Sequence, residues 1–229
     1  TLPGTAAEIL HDEVRATLCA DKINTAQWLQ VVEAAHKVGL KTTATIMYGH
    51  IDAPRHWAAH LMHIRRLQQA TGGFTEFVPL PFVHMEAPMY LRGRARKGPT
   101  FREAVLMHAV ARLVFHGLID NIQASWVKMG ANGVQVCLQA GVNDLGGSLM
   151  NESITRAAGS GHGQEWAPAD MEAHIRRARR QPAMRTTLYA PAPQERYRTA
   201  LAAEPLGPVT NQGAGKHARS KRLSEQGEQ

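Results

Sequence analysis

The chain has 229 residues, of which 44% are hydrophobic and 20% are charged, and its formal net charge is +7. This balance is typical of a globular protein and excludes wholesale disorder. No apolar run approaches the roughly 18 residues that a bilayer-spanning helix needs. Two widely spaced cysteines, Cys19 and Cys137, do not form a disulfide framework and favour a cytoplasmic location.

Apolar, β-branched runs alternate with segments of helical periodicity. Helices are predicted from residue 8 to 18, after Asn24, after Asp52, and over residues 134–138. A capping box, Thr100 to Glu103, begins another helix. Strands are predicted at residues 2–4, 42–48, 74–78, 121–126 and 142–145.

This alternation predicts an α/β fold with a parallel sheet covered by helices. Right-handed connections would curl such strands towards a (β/α) barrel of the TIM type. A complete barrel has eight strands, and about five βα units are predicted here. We therefore expect residues 1–189 to be the C-terminal part of a barrel whose first three units lie upstream.

The composition changes near residue 190. Residues 190–229 are rich in Pro, Ala, Gly, Gln and basic side chains, with almost nothing apolar after Val209. Such a segment cannot bury enough surface to offset its ordering entropy. We expect a flexible basic tail.

Polar residues recur where the predicted strands end. In barrels of this type the chemistry lies at the carboxyl ends of the strands, on the βα loops. The sequence therefore predicts one concave mouth lined by polar groups. The residues concerned are Thr5, Glu8, Tyr48, His50, Glu76, Ser125, Lys128, Asp144, Asn151 and Glu152.

Three histidines, His56, His60 and His63, share one face of a predicted helix and raise a metal-site hypothesis. That face lies roughly 100° from the buried stripe of Trp57 and Leu61. The solvent edge of the helix is therefore the favoured location. No metal ligand set is predicted in this chain.

Residues 159–165 are rich in glycine but lack the spacing of a phosphate-binding loop. Their glycines would instead let the backbone bring His162, Gln164 and Glu165 close to a ligand. Cys19 and Cys137 lack the electropositive surroundings of a nucleophile, and we interpret both as structural.

Basic residues are concentrated in residues 92–97, 176–180 and 216–222, which raises a second hypothesis, a nucleic-acid-binding module. Aromatic residues that could stack on bases do not alternate with these runs. A solvated basic surface is the favoured interpretation, with no nucleic-acid partner and no membrane partner expected.

Four stretches of the chain resemble the radical S-adenosylmethionine (SAM) family of FO synthase. They are PGTAAEIL at residues 3–10, TATIMYGH at 43–50, GGFTEFVPLPFVH at 72–84 and AGVNDLGGSLMNESITRAAGSGHGQE at 140–165. The resemblance covers residue 1 to about residue 189, and its last stretch is the most specific. Related radical SAM enzymes of menaquinone (futalosine) biosynthesis share the barrel and are the nearest alternative.

The resemblance implies the 4-hydroxyphenyl transferase half of FO synthase, in deazaflavin coenzyme biosynthesis. In that family a [4Fe-4S] cluster on a CxxxCxxC motif binds SAM and generates a radical. The radical fragments L-tyrosine, and the 4-hydroxybenzyl group joins 5-amino-6-(D-ribitylamino)uracil. A ring-closing activity, on the same chain or a partner subunit, completes the deazaflavin.

The resemblance also suggests roles for individual residues. SAM contacts are expected from Glu8, Tyr48 and His50. Contacts to tyrosine and ribityl-uracil are expected from Glu76, Asn151, Glu152, His162 and Gln164. The CxxxCxxC motif is absent here and is expected upstream, so the 229 residues alone should be inactive and marginally soluble.

Overall fold

A computed structural model describes residues 1–4, 7–149 and 151–207. In this part of the chain no helix combines the length and the apolar character that a bilayer-spanning segment requires. The strands are β1 (Thr42–Tyr48), β2 (Phe74–Pro81) and β3 (Asn121–Ile122). The helices are α1 (Asp12–Leu18), α2 (Thr25–Lys37), α3 (Pro54–Thr71), α4 (Pro88–Leu91), α5 (Phe101–Val114), α6 (Trp126–Gln139), α7 (Ile154–Ala157), α8 (Pro168–Arg177) and α9 (Gln194–Ala202).

The strands form a parallel sheet in the order β1-β2-β3. Parallel bridges extend it on both sides, from Leu2 to Thr42 and from Gln123 to Asp144. Five passages of the chain therefore lie side by side in sequence order. The predicted α/β class with parallel pairing is confirmed, although the first and last predicted strands are single bridges. Closure into a barrel stays a prediction.

Strand β2 runs to Pro81, beyond the predicted end at residue 78. Successive residues of a strand direct their backbone polar groups to alternate neighbours. Phe82 N donates to Tyr48 O of β1 (2.9 Å), and Gln123 N donates to Phe77 O from the other side (3.0 Å). Pro79 and Pro81 share the side of Phe77, beyond the end of β3. Their missing N–H groups therefore break no ladder.

The two faces of the sheet differ in polarity. On β1 the buried residues alternate, and Ala44 and Ile46 face Leu61 and Ile64 in a common core with α3. The opposite face carries a row of polar side chains, which the strand register places together. This polar face comprises Thr43, Thr45, Glu76, Asn121, Gln123 and Asp144.

Two helix predictions needed correction at their boundaries. Helix α1 begins at Asp12, not residue 8, because Glu8 has a positive φ of 43° and Met47 N donates to Glu8 O beside β1. Helix α6 is longer than the predicted 134–138 and is interrupted at Gly130, where φ is 66°. The capping box of Thr100 and Glu103 at the start of α5 is confirmed.

Part of the predicted tail is helical. Helix α9 covers residues for which no structure was expected, and Tyr197 of α9 donates to Glu172 Oε1 of α8 at 2.6 Å. The basic run at residues 216–222 lies outside the described residues, as does Thr5. The predicted domain boundary near residue 190 stays a prediction.

Candidate functional site

Two cavities lie beside the sheet. The first, here called the aromatic pocket, has a volume of about 410 Å³ and follows the carboxyl end of β2. The second, here called the polar cavity, has a volume of about 930 Å³ and lies between β3, α8 and residues 180–189. Both volumes are in the range typical of small-molecule sites.

Four segments build the aromatic pocket: residues 81–85, residues 99–104 at the start of α5, the first turn of α6 and residues 160–162. Ser160 Oγ donates to Val127 O at 2.7 Å, which ties the glycine-rich loop to α6. Gly130 makes a further close approach possible, because a Cβ there would lie 2.8 Å from the His162 ring. This close approach depends on Gly130 of α6, which lies outside the glycine-rich stretch, so the predicted role of the glycines at residues 159–165 stays a prediction.

Lys128 lines the aromatic pocket from α6. Burial lowers the pKa of its ammonium group, and the nearby Glu152 carboxylate opposes that shift. Glu152 Oε1 accepts from Thr155 N at 2.8 Å, whereas Glu152 Oε2 is buried without a partner in the described chain. A cation and a carboxylate oxygen, both with unused capacity for hydrogen bonding, therefore lie close to one another.

Four of the predicted substrate residues come together near Lys128. Glu152 N donates to Gln164 O at 2.8 Å, and His162 lines the aromatic pocket. Asn151 Oδ1 accepts from Arg156 (2.9 Å), and the Gln164 side chain donates to Gly207 O (2.9 Å). These four residues therefore lie near one another, but the side chains of Asn151 and Gln164 are already engaged. Their roles stay predictions.

Glu76, the fifth predicted substrate residue, lies elsewhere. It is the third residue of β2, and its partners in register are Thr43 and Asn121. Its predicted placement near the end of the strand is wrong, because β2 continues to Pro81. Glu76 therefore lies towards the amino end of the sheet, away from the carboxyl end of β1 that precedes His50.

Glu76 belongs to a cluster with Asp144, Arg185 and Tyr189 at the polar cavity. Tyr189 Oη donates to both carboxylates, and Arg185 Nη2 lies 2.6 Å from Asp144 Oδ2 and 3.4 Å from Glu76 Oε2. Burial raises the pKa of Glu76, while Tyr189 and Arg185 partly oppose the shift. Arg185 and Tyr189 were not among the predicted site residues, because nothing local in the sequence connects residues 185–189 to the strands.

Tyr48 and His50, both predicted to contact SAM, are buried in the protein. Tyr48 follows the helix-facing alternation of β1, and its ring packs edge-on against Trp57, with centroids 5.3 Å apart. Its predicted position at the mouth is therefore wrong. His50 is 1% exposed, and its Nδ1 and Nε2 lie 2.8 Å from Ile51 N and 3.1 Å from Met47 O.

Glu8, the third predicted SAM contact, forms an ion pair with Lys22 at 2.8 Å. All three residues thus have a partner or are enclosed in the core. Asp52 lies beside them, and the sequence predicted for it only a position just before a helix. Asp52 instead accepts hydrogen bonds from Gly49 N (2.9 Å), His50 N (2.7 Å) and Trp57 Nε1. Burial disfavours its charge, but these bonds and His50 hold its pKa below the ordinary value.

Two of the three histidines of α3 are more buried than predicted, whereas His63 is half-buried, as expected at the edge of the helix. His60 is 0% exposed and His56 is 3% exposed, so the predicted location of both at the solvent edge is wrong. The segment before α1 covers this face: Leu10 N donates to His60 Nδ1 at 3.0 Å, and the His11 ring lies 4.5 Å from that of His56. Burial lowers the pKa of His60 to about 3.

Three side chains near α1 have the spacing of a metal site. One ligand atom each from His11, Glu13 and His56 lies within 4.8 Å of the others. However, His56 Nδ1 accepts from Ala53 N at 3.1 Å, so its Nε2 carries the proton in the neutral ring. A ligating histidine needs the opposite tautomer. This geometry disfavours a metal ion there.

The cofactors implied by the resemblance find no complete donor set among the described residues. A [4Fe-4S] cluster needs several thiolates, and Cys19 and Cys137 are separate, buried thiols. Burial raises the pKa of Cys137 to about 12, which is typical of an inert thiol. For SAM, the predicted contacts Glu8, Tyr48 and His50 are engaged as described above. The residues present therefore do not fit either group by themselves.

The basic runs within the described residues are partly neutralised by the chain itself. Arg96 Nη1 lies 3.0 Å from Glu103 Oε2, and its guanidinium stacks 5.9 Å above the Trp57 ring. Arg176 forms an ion pair with Glu172 at 2.7 Å. These contacts favour a structural role for at least part of the basic surface.

Comparison with known proteins gives consistent matches. The chain is 54% identical over 190 residues to FO synthase of Mycobacterium tuberculosis, covering 83% of this chain and 22% of that protein. FO synthase of Streptomyces avermitilis is 52% identical over 204 residues, covering 89% of the chain and 24% of the relative.

A shorter relative has a similar degree of identity. The 5-amino-6-(D-ribitylamino)uracil–L-tyrosine 4-hydroxyphenyl transferase of Methanothermobacter thermautotrophicus is 51% identical over 189 residues, covering 82% of the chain and 52% of the relative. The chain thus spans about half of this relative and less than a quarter of the FO synthases. The family model described as "CofH/MqnC C-terminal region" matches residues 71–197. The chain therefore belongs to the CofH/MqnC C-terminal region family.

Proposed function

We propose that this chain is part of a transferase that joins the 4-hydroxybenzyl group of L-tyrosine to 5-amino-6-(D-ribitylamino)uracil in FO synthesis. The observation that carries the proposal is the 51% identity, over 82% of the chain, to a relative named for this reaction. Because the chain spans only part of its relatives, the activity belongs to the longer protein.

The fold supports this proposal. Five parallel passages in sequence order have the pairing of consecutive strands in a (β/α) barrel. We propose that further strands in the longer protein close this sheet into a barrel of the radical SAM type. The polar face of the sheet would then line the interior, with the aromatic pocket at its carboxyl end.

One cavity has many hydrogen-bonding groups in its lining and the other is mostly apolar. This difference suits two substrates of different polarity. Asn121, Gln123 and Ser125 line the polar cavity and offer paired donors and acceptors, which suit a uracil edge and a polyol. Phe82, Phe101 and Met129 in the aromatic pocket suit a ring. This chain would thus bind and orient the substrates and exclude water.

We assign radical generation by a [4Fe-4S] cluster and SAM to the rest of the longer protein, because the two lone cysteines here cannot hold the cluster. The same free thiols support a reducing cytoplasm as the compartment. The ring-closing activity would be supplied on the same chain or by a partner subunit.

A second candidate is a related radical SAM enzyme of menaquinone biosynthesis, acting on a futalosine-type substrate. It is favoured only by the family description, which names CofH and MqnC together. The relatives reported above are FO synthases or the 4-hydroxyphenyl transferase.

The test is an anaerobic assay of the full-length parent, reconstituted with iron and sulfide and supplied with SAM and a reductant. We expect the adduct of ribityl-uracil and the 4-hydroxybenzyl group, detected by mass spectrometry, when both tyrosine and ribityl-uracil are present. A parallel reaction contains a futalosine-type substrate instead. Turnover of that substrate, with no adduct from tyrosine, would refute the proposal and favour the second candidate.

A further inference from the structure

The aromatic pocket combines an apolar lining with one strong cation. Phe82, Phe101 and Met129 supply ring and thioether surface, and Met85 closes one side against Gly159. Lys128 is the one lysine or arginine that lines this pocket within the described residues. An apolar cavity with a single positive group is suited to an aromatic ligand that carries a carboxylate.

The Lys128 ammonium group lacks a close counter-ion. Throughout the described part of the chain, no carboxylate oxygen lies within the 4.0 Å that defines an ion pair with its Nζ. Burial lowers its pKa, which shows that the charged form is costly in this environment. Burying an ammonium group without an anion costs free energy, and a bound carboxylate would remove much of that cost.

Specific hydrogen bonds hold the segments around Lys128 together. Ser160 Oγ fixes the loop to α6, and Glu86 N donates to Ala158 O at 3.1 Å, which ties residues 81–86 to the same loop. Three segments far apart in sequence thus hold the pocket around the lysine. A freely solvated surface lysine would need none of these contacts.

We propose that the aromatic pocket binds L-tyrosine, with Lys128 Nζ donating hydrogen bonds to its α-carboxylate and the aromatic and methionine side chains surrounding its ring. This assignment rests on the proposed function and deepens it. The ribityl-uracil substrate would occupy the polar cavity, because a polyol needs more donors and acceptors than the aromatic pocket offers.

The experiment compares three ligands that share the 4-hydroxyphenyl ring. L-Tyrosine and 3-(4-hydroxyphenyl)propanoate carry a carboxylate, and tyramine does not. Their dissociation constants are measured by anaerobic calorimetry and competition on the full-length parent, without SAM, so that no turnover occurs. The variants are Lys128→Met, Lys128→Arg and, as a matched control, Lys37→Met, which changes an exposed lysine on α2.

We expect Lys128→Met to weaken both carboxylate ligands by about 10- to 100-fold, the effect of losing a hydrogen bond to a charged group. Tyramine, which carries an ammonium group and no carboxylate, should not bind more weakly, so the preference for tyrosine over tyramine should fall. Lys128→Arg should restore part of the affinity for carboxylates, and Lys37→Met should match the wild type.

Equal tyrosine affinity in the wild type and Lys128→Met would overturn the assignment, as would an equal loss for tyramine or no tyrosine binding at all. Turnover separates this inference from the proposed function. A wild type that forms the adduct, with an unchanged KM for tyrosine in Lys128→Met, refutes the inference alone. Tyrosine binding that depends on Lys128, without adduct formation, refutes the proposed function alone.

Discussion

The turn after β1 and the aromatic pocket both follow the carboxyl end of a strand. Their buried polar groups differ in whether the protein itself supplies hydrogen-bonding or ionic partners. In the turn, one Asp52 carboxylate accepts from Gly49 N, His50 N and Trp57 Nε1, and both nitrogens of His50 have partners. At the aromatic pocket, no carboxylate oxygen of the described residues lies within 4.0 Å of Lys128 Nζ, and the nearby Glu152 Oε2 is buried without a partner among them.

This difference in hydrogen-bond satisfaction indicates which polar residues at strand ends are candidates for ligand binding. A buried group with all its hydrogen bonds satisfied stabilises the fold and has little left to offer a ligand. A buried group with unused capacity costs stability until a ligand satisfies it. Mutations in the turn should therefore lower stability more than ligand binding. Mutations in the aromatic pocket should lower ligand binding more than stability.

The largest effect on stability is expected for Asp52→Ala. This change leaves Gly49 N, His50 N and Trp57 Nε1 without their shared acceptor. Removing one member of a buried polar network costs about 3–5 kcal/mol, measured as the loss of unfolding free energy of the parent protein. Asp21→Ala, at an exposed carboxylate, is the control. Equal shifts in the two variants would contradict the structural role of the turn.

Acidification should also destabilise the protein through His60. Its pKa is lowered by burial from the ordinary 6.5 to about 3, so the unfolded chain takes up a proton in this window and the folded chain does not. Stability is therefore lost as the pH falls from 6.5 towards 3, by about 1.4 kcal/mol per pH unit for one such group. The measurement is the midpoint of urea unfolding as a function of pH.

His60→Gln sharpens the test, because its amide oxygen can still accept from Leu10 N but does not titrate. We expect a flatter pH profile in this variant. His108, whose pKa burial also lowers, retains part of the dependence. His116→Gln, at an exposed histidine, is the control, and an unchanged slope in His60→Gln would contradict the prediction.

Gly130→Ala should affect both stability and binding. The residue has a φ of +66°, and an added Cβ would lie 2.8 Å from the His162 ring. We expect a loss of about 1–3 kcal/mol from backbone strain, together with weaker tyrosine binding because His162 must move. Gly147→Ala has open space around it and serves as the control. Full retention of both properties in Gly130→Ala would show that the close approach has no role.

The smallest loss of stability is expected for Lys128→Met. Because the ammonium group has no close partner to lose and its burial is costly, the unfolding free energy should fall by no more than about 0.5 kcal/mol relative to the wild type. Thermal unfolding of the parent, with Lys37→Met alongside, provides the measurement. A loss above about 1 kcal/mol would mean that Lys128 is part of the structural framework and would remove the contrast between the two regions.

The sequence alone determined the order of the elements and the direction of the sheet. Hydrophobic periodicity, glycine stops and the capping box at Thr100 are local signals, and strands separated by helices favour parallel pairing. The stretch at residues 151–165 also pointed to Glu152 and His162, which the structure brings near Lys128. These features depend on residues that are close in sequence, so a local pattern carries them.

Tertiary packing decided which polar residues are engaged. The segment before α1 covers His60, residues 185–189 reach back to Glu76, and Tyr48 turns towards Trp57. Each of these contacts joins segments that no local pattern connects. The sequence could place a polar residue at the end of a strand. Only the fold determined whether another part of the chain satisfies that residue or leaves it facing a cavity, because burial and partners are set by long-range contacts.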